Sequence, residues 1–315
     1  MENNKDEFIW AEKYRPRKIA DCILPKEMKS TFQGFVDKKD IINLLLSGPK
    51  GIGKTTVARA MLEELDCDYI IINGSLDGNI DTLRTKITSF ASSVSFKNKR
   101  KYVILDEADY LTHATQPALR NFMETFSKNC GFILTANYPR RILDALSQSR
   151  CVPIEFSIPK EEAPQLAFHF FTRASEILKN ENIAFDQQAV AGIIQKYFPD
   201  WRRVLNELQK YSINGSIDSG ILSNVKAKSI KDLIDFMKEK NYTGVRKWAA
   251  DNVGSDHQTL FRDFYDNAKD YFKSSFIPEL VLRIADYQFK SSMVLDQEIN
   301  FVAFCTEIMI GAEWK

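Results

Sequence analysis

A glycine-rich stretch near residue 50 constrains the fold of this chain more than any other part of its sequence. Residues Gly48–Thr56 read GPKGIGKTT, with the apolar run Ile41–Leu46 in front and the helical stretch Val57–Leu62 behind. Glycines let the backbone curl so that successive N–H groups meet phosphate oxygens, while Lys54 adds positive charge and Thr55 offers a hydroxyl to Mg²⁺. The motif predicts a nucleoside-triphosphate site between a strand and a helix, although such a sequence also occurs in loops by chance.

Short apolar runs alternate with helical stretches from Ile41 to Phe156. Strands separated by helices need crossover connections, so the alternation predicts an α/β fold with a mainly parallel five-stranded sheet covered on both faces. In such a sheet, ligands bind beyond the carboxyl ends of the strands. The predicted strands are Ile41–Leu46, Tyr69–Ile72, Tyr102–Leu105, Phe132–Thr135 and Val152–Phe156.

After Pro159 the sequence shows only helical periodicity. A first helical block runs from Glu161 to Ser212, and the turn-rich segment Asn214–Gly220 is the predicted linker. Beyond the linker, apolar residues recur at i, i+3, i+4 and i+7, which predicts amphipathic helices that pack into a core. The stretches with this spacing are Ile230–Met237, Ile277–Ile284 and Phe301–Ile308.

Charge and cysteine content exclude several classes of protein. With 43 basic and 42 acidic residues, no global field attracts the chain to nucleic acid or membranes, so any DNA contact is a local patch. The five cysteines form no C-x-x-C pair, which argues against a zinc ribbon or a disulfide framework. The polar N-terminus and the lack of any run of about 20 apolar residues predict a soluble, cytoplasmic protein without a membrane partner.

An acid pair, Asp106 and Glu107, directly follows the predicted strand Tyr102–Leu105 at the ligand edge of the sheet. Asp106 suits Mg²⁺, an ion that keeps several waters and takes few protein carboxylates. Glu107 can orient and deprotonate an attacking water, so the pair predicts hydrolysis of the nucleotide as well as binding. The alternative is a solvated acidic turn at the end of a strand.

Two further residues have a chemical and a purely structural interpretation. Asn137, at the end of the strand Phe132–Thr135, can hydrogen-bond the γ-phosphate or the water beside it, but asparagine also often ends a strand in a turn. Arg150 precedes the last predicted strand and is a candidate arginine finger, because its planar, permanently charged fork can stabilise a transferring phosphoryl group. An arginine at the solvated surface is the alternative.

Six motifs, taken in order along the chain, resemble those of the sliding-clamp loader ATPases of the AAA+ superfamily, which include replication factor C. The Ser-Arg-Cys triplet around Arg150 is the most specific of them, and the segments Phe198–Arg202 and Glu313–Lys315 resemble most closely the large clamp-loader subunit of T4-type bacteriophages. The motifs are Lys13–Pro16, the phosphate loop, Asp106–Asp109, Ala118–Arg120, Thr135–Asn137 and Ser149–Cys151.

The resemblance implies a three-part chain and a DNA-replication function. We expect an AAA+ P-loop domain in residues 1–160, a helical lid domain in 161–220 and an all-α collar domain for oligomerisation in 221–315. The implied cofactors are ATP and Mg²⁺, with ATP binding holding a ring-shaped sliding clamp open and primer–template DNA triggering hydrolysis and clamp release. About four copies are expected to assemble with one different subunit, in the host-cell cytoplasm if the source is viral.

The resemblance also implies roles for individual residues. Lys54, Glu107 and Asn137 are expected to be catalytic, Arg150 to act in trans on the nucleotide of a neighbouring subunit, and Thr55 and Asp106 to hold Mg²⁺. Arg202 is the expected second sensor; the family usually has Gly-Asp where this chain has Pro199-Asp200, and Arg203 competes for the role. The expected ATP-binding residues are Glu12, Lys13, Tyr14, Arg15, Pro16, Gly48, Pro49, Lys50, Gly51, Ile52, Gly53, Lys54, Thr55, Thr56 and Arg202.

Further residues are expected to contact DNA, to contact the clamp, or to couple the nucleotide site to DNA and to the next subunit. A helix start near Asp81 offers N–H groups and basic side chains to DNA phosphates through Thr82, Arg84 and Lys86, with a solvated amphipathic helix as the alternative. Gln116 and Arg120, four residues apart on one helix, are expected to couple the nucleotide site to DNA and to the next subunit, or to be a plain exposed pair. Phe96 is the expected clamp contact.

A basic run, residues 97–101, precedes the third predicted strand. Charges at such a place often protect a hydrophobic strand against aggregation, and contact with DNA or the clamp is the alternative. Two other functions stay open for the whole chain. One is an AAA+ motor that moves along DNA or remodels protein, and the other is a scaffold subunit that binds ATP without hydrolysing it.

Overall fold

The computed structural model describes residues 8–95, 99–213, 215–218, 230–253, 257–291 and 293–315. The chain divides into two compact units, Met1–Leu222 and Ser223–Lys315. Within the described ranges, no helix combines the length and the apolar character needed to cross a membrane.

The first unit is built on a parallel five-stranded sheet, as the sequence predicts. Its strand order is β2-β3-β4-β1-β5, and every neighbouring pair is parallel. The first strand begins three residues later than predicted, while the other four fall where the apolar runs predict them. The strands are β1 (Leu44–Ser47), β2 (Tyr69–Asn73), β3 (Lys101–Asp106), β4 (Cys130–Ala136) and β5 (Val152–Glu155).

Helices cover both faces of this sheet, as the alternate residues of the interior strand β1 show. Leu44 and Leu46 are buried in a core formed with α2 and α3, whereas Leu45 is buried in a second core formed with α4 and α5. A strand buried on both faces must be apolar throughout, which explains the unbroken run of leucines. The helices are α1 (Trp10–Lys13), α2 (Lys26–Asp37), α3 (Lys54–Glu64), α4 (Ile80–Ser92), α5 (Thr115–Thr125) and α6 (Asp144–Ser147).

A small helical part follows within the same unit. It contains α7 (Ala163–Asn180), α8 (Gln187–Tyr197) and α9 (Trp201–Ser212). The expectation of helices alone after Pro159 is wrong in one detail, since β6 (Ala184–Phe185) pairs in parallel with β7 (Ser216–Ile217). Ile217 is almost fully buried, so part of the predicted linker is anchored instead to this helical layer.

The second unit is all-helical in the described residues and has its own aromatic core. The three predicted apolar stretches lie on its first and last two helices, and two more helices fall between them. Phe261 and Phe264 make edge-to-face contacts with Phe301 and Phe304, and Trp248 stacks on Phe301. The helices are α10 (Ile230–Lys238), α11 (Tyr242–Asn252), α12 (His257–Tyr271), α13 (Ile277–Ser291) and α14 (Gln297–Gly311). The exact domain boundaries stay predictions.

Candidate nucleotide site

The glycine-rich loop connects β1 to α3 and takes backbone conformations that side chains disfavour. Gly51 and Gly53 have φ values of +72° and +108°, in the left-handed region that glycine enters without a steric penalty. Gly48 (φ +143°) is needed for a second reason, because a Cβ there would lie 2.7 Å from the carbonyl oxygen of Phe156. Lys54 is the first residue of α3, so the loop leads into a helix N-terminus, where free N–H groups attract anions.

Lys54 is held inside this loop. Its Nζ donates to the carbonyl oxygens of Gly48 and Pro49, both at 2.8 Å, and to Oδ1 of Asn137 at 2.9 Å. The residue is only 7% exposed, and burial lowers the pKa of its ammonium group to about 8, although Asp106 and Asp109 pull the pKa upward. Three acceptors therefore position this charge where a phosphate would enter the loop.

The hydroxyl of Thr55 and the carboxylate of Asp106 meet at the edge of the sheet. Thr55 Oγ1 and Thr135 Oγ1 both donate to Asp106 Oδ1 at 2.6 Å. The backbone N–H of Glu107 donates to Thr135 Oγ1 at 3.1 Å, and Glu107 takes a left-handed conformation with φ +55°. A hydroxyl beside a carboxylate supplies the hard oxygen ligands that Mg²⁺ prefers, so these residues fit that ion. The sequence analysis assigns no role to Thr135, although this residue belongs to the same motif as Asn137.

Asp109 has no individual role in the sequence motif Asp106–Asp109, but the structure gives it a specific position. Only 3% of its surface is exposed, and its Oδ2 accepts the backbone N–H groups of Asn137 and Tyr138 at 3.3 and 3.0 Å. Capping these two donors fixes the turn that carries the Asn137 side chain to Lys54.

The N-terminal arm lies between the glycine-rich loop and the helical lid. Lys13 Nζ and Tyr14 Oη both donate to Glu181, with the lysine contact at 2.6 Å. Arg15 pairs with Glu12 and donates from Nη1 to Thr56 Oγ1 at 2.9 Å. Burial by itself raises the pKa of Glu12, but the hydrogen bond and charge of Arg15 bring it below its usual value.

Most of the predicted ATP-binding residues line one cleft, and four of them do not. Tyr14, Arg15 and Pro16 line it together with the loop residues 50–56 and Arg202. Glu12 and Lys13 do not line the cleft; Glu12 forms an ion pair with Arg15, and Lys13 forms one with Glu181. Gly48 and Pro49 contribute the carbonyl oxygens that hold Lys54.

The two candidate second sensors separate clearly. Arg202 lines the cleft, whereas the Arg203 guanidinium lies over the ring of Tyr197 at 4.6 Å. The start of α9 also touches the glycine-rich loop, since the Trp201 N–H donates to the Gly51 carbonyl at 3.2 Å. The geometry thus favours Arg202 over its neighbour for contact with a bound nucleotide.

Gln116 and Arg120 are not an exposed pair. Gln116 is 1% exposed; its Nε2 donates to the Arg141 carbonyl at 2.9 Å and its Oε1 accepts the Leu143 N–H at 2.7 Å. Arg120 is exposed and donates to Glu124 at 3.1 Å. Glu124 also accepts from Arg150, so the candidate finger is paired within its own chain.

The candidate DNA helix, α4, carries its basic residues at the surface beside acidic ones. Lys86 Nζ is 2.7 Å from Asp77 Oδ2, and Arg84 is 3.8 Å from Asp81, while Thr82 is half-buried. These exposed pairs hold the cations only weakly against a competing phosphate. The predicted clamp contact Phe96 lies outside the described residues.

Residues 99–101 of the basic run bind three different helix ends. Lys99 donates to the Leu65 carbonyl after α3, at 2.9 Å, and Arg100 to the Ser127 carbonyl after α5, at 3.0 Å. Lys101 is 4% exposed and donates to the Phe90 carbonyl at the end of α4, at 2.7 Å. The charges therefore satisfy orphan carbonyls at helix C-termini, a role that the sequence does not predict. The two predicted roles of the basic run stay predictions.

Two family models match the first unit. Residues 44–160 match the ATPase family associated with various cellular activities (AAA), and residues 165–223 match the AAA+ ATPase lid domain of the sliding-clamp-loader large subunit.

Curated relatives span most of the chain. The chain is 42% identical over 258 residues to the sliding-clamp-loader large subunit of Escherichia phage RB69, covering 79% of this chain and 80% of the relative. Identity to the same subunit of Enterobacteria phage T4 is 40% with the same coverage. A replication factor C small subunit from Sulfurisphaera tokodaii is 34% identical over 77% of this chain and 75% of its own length.

Solved structures agree on the fold. The RuvB Holliday junction branch migration motor of Thermotoga maritima aligns with a TM-score of 0.53 over 72% of this chain and 80% of that chain, at 15% identity. A likeness at this identity supports the AAA+ fold alone. Together with the parallel sheet and the helical layers, it confirms the predicted fold class.

Proposed function

Because this chain belongs to the family of sliding-clamp-loader large subunits, we propose that it is the ATP-hydrolysing subunit of a DNA polymerase sliding-clamp loader. ATP binding holds a ring-shaped clamp open, and primer–template DNA triggers hydrolysis and closes the clamp on DNA. The observation that carries the proposal is that two hydrogen-bonded pairs, Lys54 with Asn137 and Thr55 with Asp106, lie at the carboxyl edge of the sheet.

Each residue of the site has a role in hydrolysis. The glycine-rich loop and Lys54 bind the β- and γ-phosphates, and Arg202 reaches the nucleotide from the lid. Glu107 orients the attacking water and takes its proton, while Asn137 hydrogen-bonds the γ-phosphate beside it. Thr55 and Asp106 would hold Mg²⁺, which would neutralise charge that develops on the phosphate oxygens.

Hydrolysis requires a second copy of the chain. Arg150 reaches the nucleotide of a neighbouring subunit and stabilises the charge of the transferring phosphoryl group, so that assembly controls cleavage. About four copies join one different subunit, and DNA is held by Thr82, Arg84 and Lys86 of the several α4 helices. Since the sliding-clamp-loader large subunits that this chain resembles in phages RB69 and T4 are phage proteins, the proposed place of the assembly is the cytoplasm of a host cell.

One assay separates this proposal from its rivals. ATP hydrolysis is measured with and without primed DNA, a ring clamp and a candidate small subunit, and strong stimulation that needs all three is expected. A DNA motor would hydrolyse ATP without the clamp and unwind strands, and a scaffold subunit would show the same low rate before and after Glu107→Gln.

The trans arrangement has its own test. Arg150→Ala is expected to leave ATP binding intact and to lower DNA-stimulated hydrolysis by roughly 10³-fold or more, the worth of an arginine finger in related systems. Parental turnover by Arg150→Ala in the presence of clamp and DNA would contradict the assignment of this residue.

A further inference from the structure

One carboxylate oxygen on α5 binds two arginines. Glu124 Oε1 accepts from Nε and Nη2 of Arg150 at 3.0 and 2.6 Å, and from Nε of Arg120 at 3.1 Å. The hydrogen bonds from Arg150, and then those from Arg120, lower the pKa of Glu124. The Glu124 side chain is therefore a charged acceptor with two cationic partners at neutral pH.

The pairing uses one edge of the Arg150 fork and leaves capacity at the other. Its Nε and Nη2 face Glu124, and its Nη1 donates to the Ser149 carbonyl at 3.1 Å. Each terminal nitrogen of a guanidinium carries two hydrogens, so Nη1 and Nη2 each keep one for a further acceptor. The terminal edge of the fork can therefore still bind a phosphate while the side edge stays on Glu124.

Arg120 keeps this cluster positive. A carboxylate paired with Arg150 alone would cancel the charge that a finger needs. Two guanidinium groups on one carboxylate leave a net charge of about +1, so the cluster still attracts an anion. The Arg150 side chain is 35% exposed, which leaves it accessible to a neighbouring molecule.

The same helix holds both ends of the segment that leads to Arg150. Near the N-terminus of α5, Gln116 binds the backbone of Arg141 and Leu143, and in its last turn Glu124 binds Arg150. Between these two positions, Leu119 and Met123 pack into the core that α4 shares. A displacement of α5 would therefore move the finger with it.

We propose that Glu124 is a positioning residue for the trans-acting arginine. It holds the guanidinium in one orientation before the subunits assemble, so that less side-chain entropy is lost when the fork meets a phosphate. The inference rests on the proposed function, since it gives Glu124 no role if Arg150 does not act in trans.

The test is Glu124→Gln, which keeps the shape of the side chain and removes its charge. We expect kcat with clamp and DNA to fall about three- to five-fold, the effect of an exposed hydrogen-bonded ion pair. The KM for ATP stays unchanged, because each subunit binds nucleotide with its own loop. Glu124→Asp keeps the charge and is expected to recover part of the rate.

A double variant shows whether the effect passes through the finger. Arg150→Lys keeps a positive charge but has no fork, so adding Glu124→Gln to it should cost no more than about 1.5-fold. The matched control is Asp286→Asn, which removes an exposed ion pair with Lys290 at 2.6 Å in the other unit and should leave kcat unchanged.

Each result leads to a definite conclusion. An unchanged kcat in Glu124→Gln, a raised KM instead of a lowered kcat, or an equal loss in the Arg150→Lys background overturns the role of Glu124. If Arg150→Ala already hydrolyses ATP at the parental rate, the proposed trans mechanism fails instead.

Discussion

Lys54 Nζ donates directly to Oδ1 of Asn137, at 2.9 Å, across the gap between the glycine-rich loop and the end of β4. The two residues are 83 positions apart in the sequence, and the parallel pairing of β1 with β4 brings them together. A phosphate bound in the loop would meet the ammonium and the amide at the same time. In the proposed mechanism, the γ-phosphate would therefore contact both members of this hydrogen-bonded pair.

Replacing Asn137 by alanine should affect cleavage more than binding. Lys54 keeps its two carbonyl partners in the loop, so we expect the Kd for ATP to change less than about three-fold. The kcat should fall by about 10²-fold, the usual loss when a hydrogen bond to the transferring group is removed. Nucleotide titration and steady-state hydrolysis give both numbers, and equal losses in the two would show a binding role.

Gly51→Ala should damage the site, and Gly34→Ala should not. A Cβ at Gly51 would lie 1.7 Å from Asp200 Oδ1, at a φ of +72°, so the Asp200 carboxylate that accepts the Arg203 N–H at the start of α9 must shift. We expect a loss of about 1–2 kcal/mol in unfolding free energy, together with weaker ATP binding.

Gly34 provides the matched control because it lies within α2 and a Cβ there meets nothing within 4 Å. Gly34→Ala should stabilise the protein by about 0.5–1 kcal/mol. Chemical denaturation of both variants measures the contrast, and similar stabilities would argue against the close contact at Gly51.

Lys101→Met should destabilise the fold through the end of α4. The ammonium of Lys101 binds the Phe90 carbonyl and both oxygen atoms of Ser93, and methionine leaves these acceptors without it. We expect a cost of about 2 kcal/mol in unfolding free energy, the usual worth of hydrogen bonds made by a charged group.

Lys99→Met is the comparison for this variant, since Lys99 binds a helix end from a side chain that is 44% exposed. Its cost should stay below about 1 kcal/mol. Thermal melts of both variants at neutral pH measure the two losses of stability. Equal losses would mean that the burial of Lys101 does not strengthen its hydrogen bonds.

The contact between the N-terminal arm and the lid should weaken in acid. Burial alone raises the pKa of Glu181, yet hydrogen bonds from Lys13 and Tyr14 bring it below the ordinary value of 4.5. A carboxyl whose pKa is lowered by folding stabilises the protein above its unfolded pKa, and this stability is lost as pH falls through the folded value.

Glu181→Gln should therefore lower the Tm most at neutral pH, where its cost in unfolding free energy is about 1 kcal/mol. The difference in Tm from the parent should shrink below pH 4.5. The control is Glu176→Gln, at an exposed position on α7, the helix that ends just before Glu181, and its melting curve should follow the parent at every pH. A Tm difference that stays constant down to pH 3 would contradict the role of Glu181.

Local patterns were sufficient to predict the parallel sheet, the phosphate loop and the acid pair, because each depends on neighbouring residues. Glycine spacing determines which N–H groups turn inward, and a polar residue that ends a buried strand must lie at the edge of the sheet. The positions of Lys54, Asp106 and Asn137 followed from these rules alone.

Other features depended on how distant segments pack. Glutamine and lysine usually lie at the protein surface. Only the tertiary structure shows that Gln116 and Lys101 are buried against backbone groups of other elements. Glu181 meets Lys13 across 168 positions, and Glu124 meets Arg150 across 26. A polar side chain carries no sequence signal for a partner so far away, because its hydrogen bond is determined by the path of the folded backbone rather than by its neighbours.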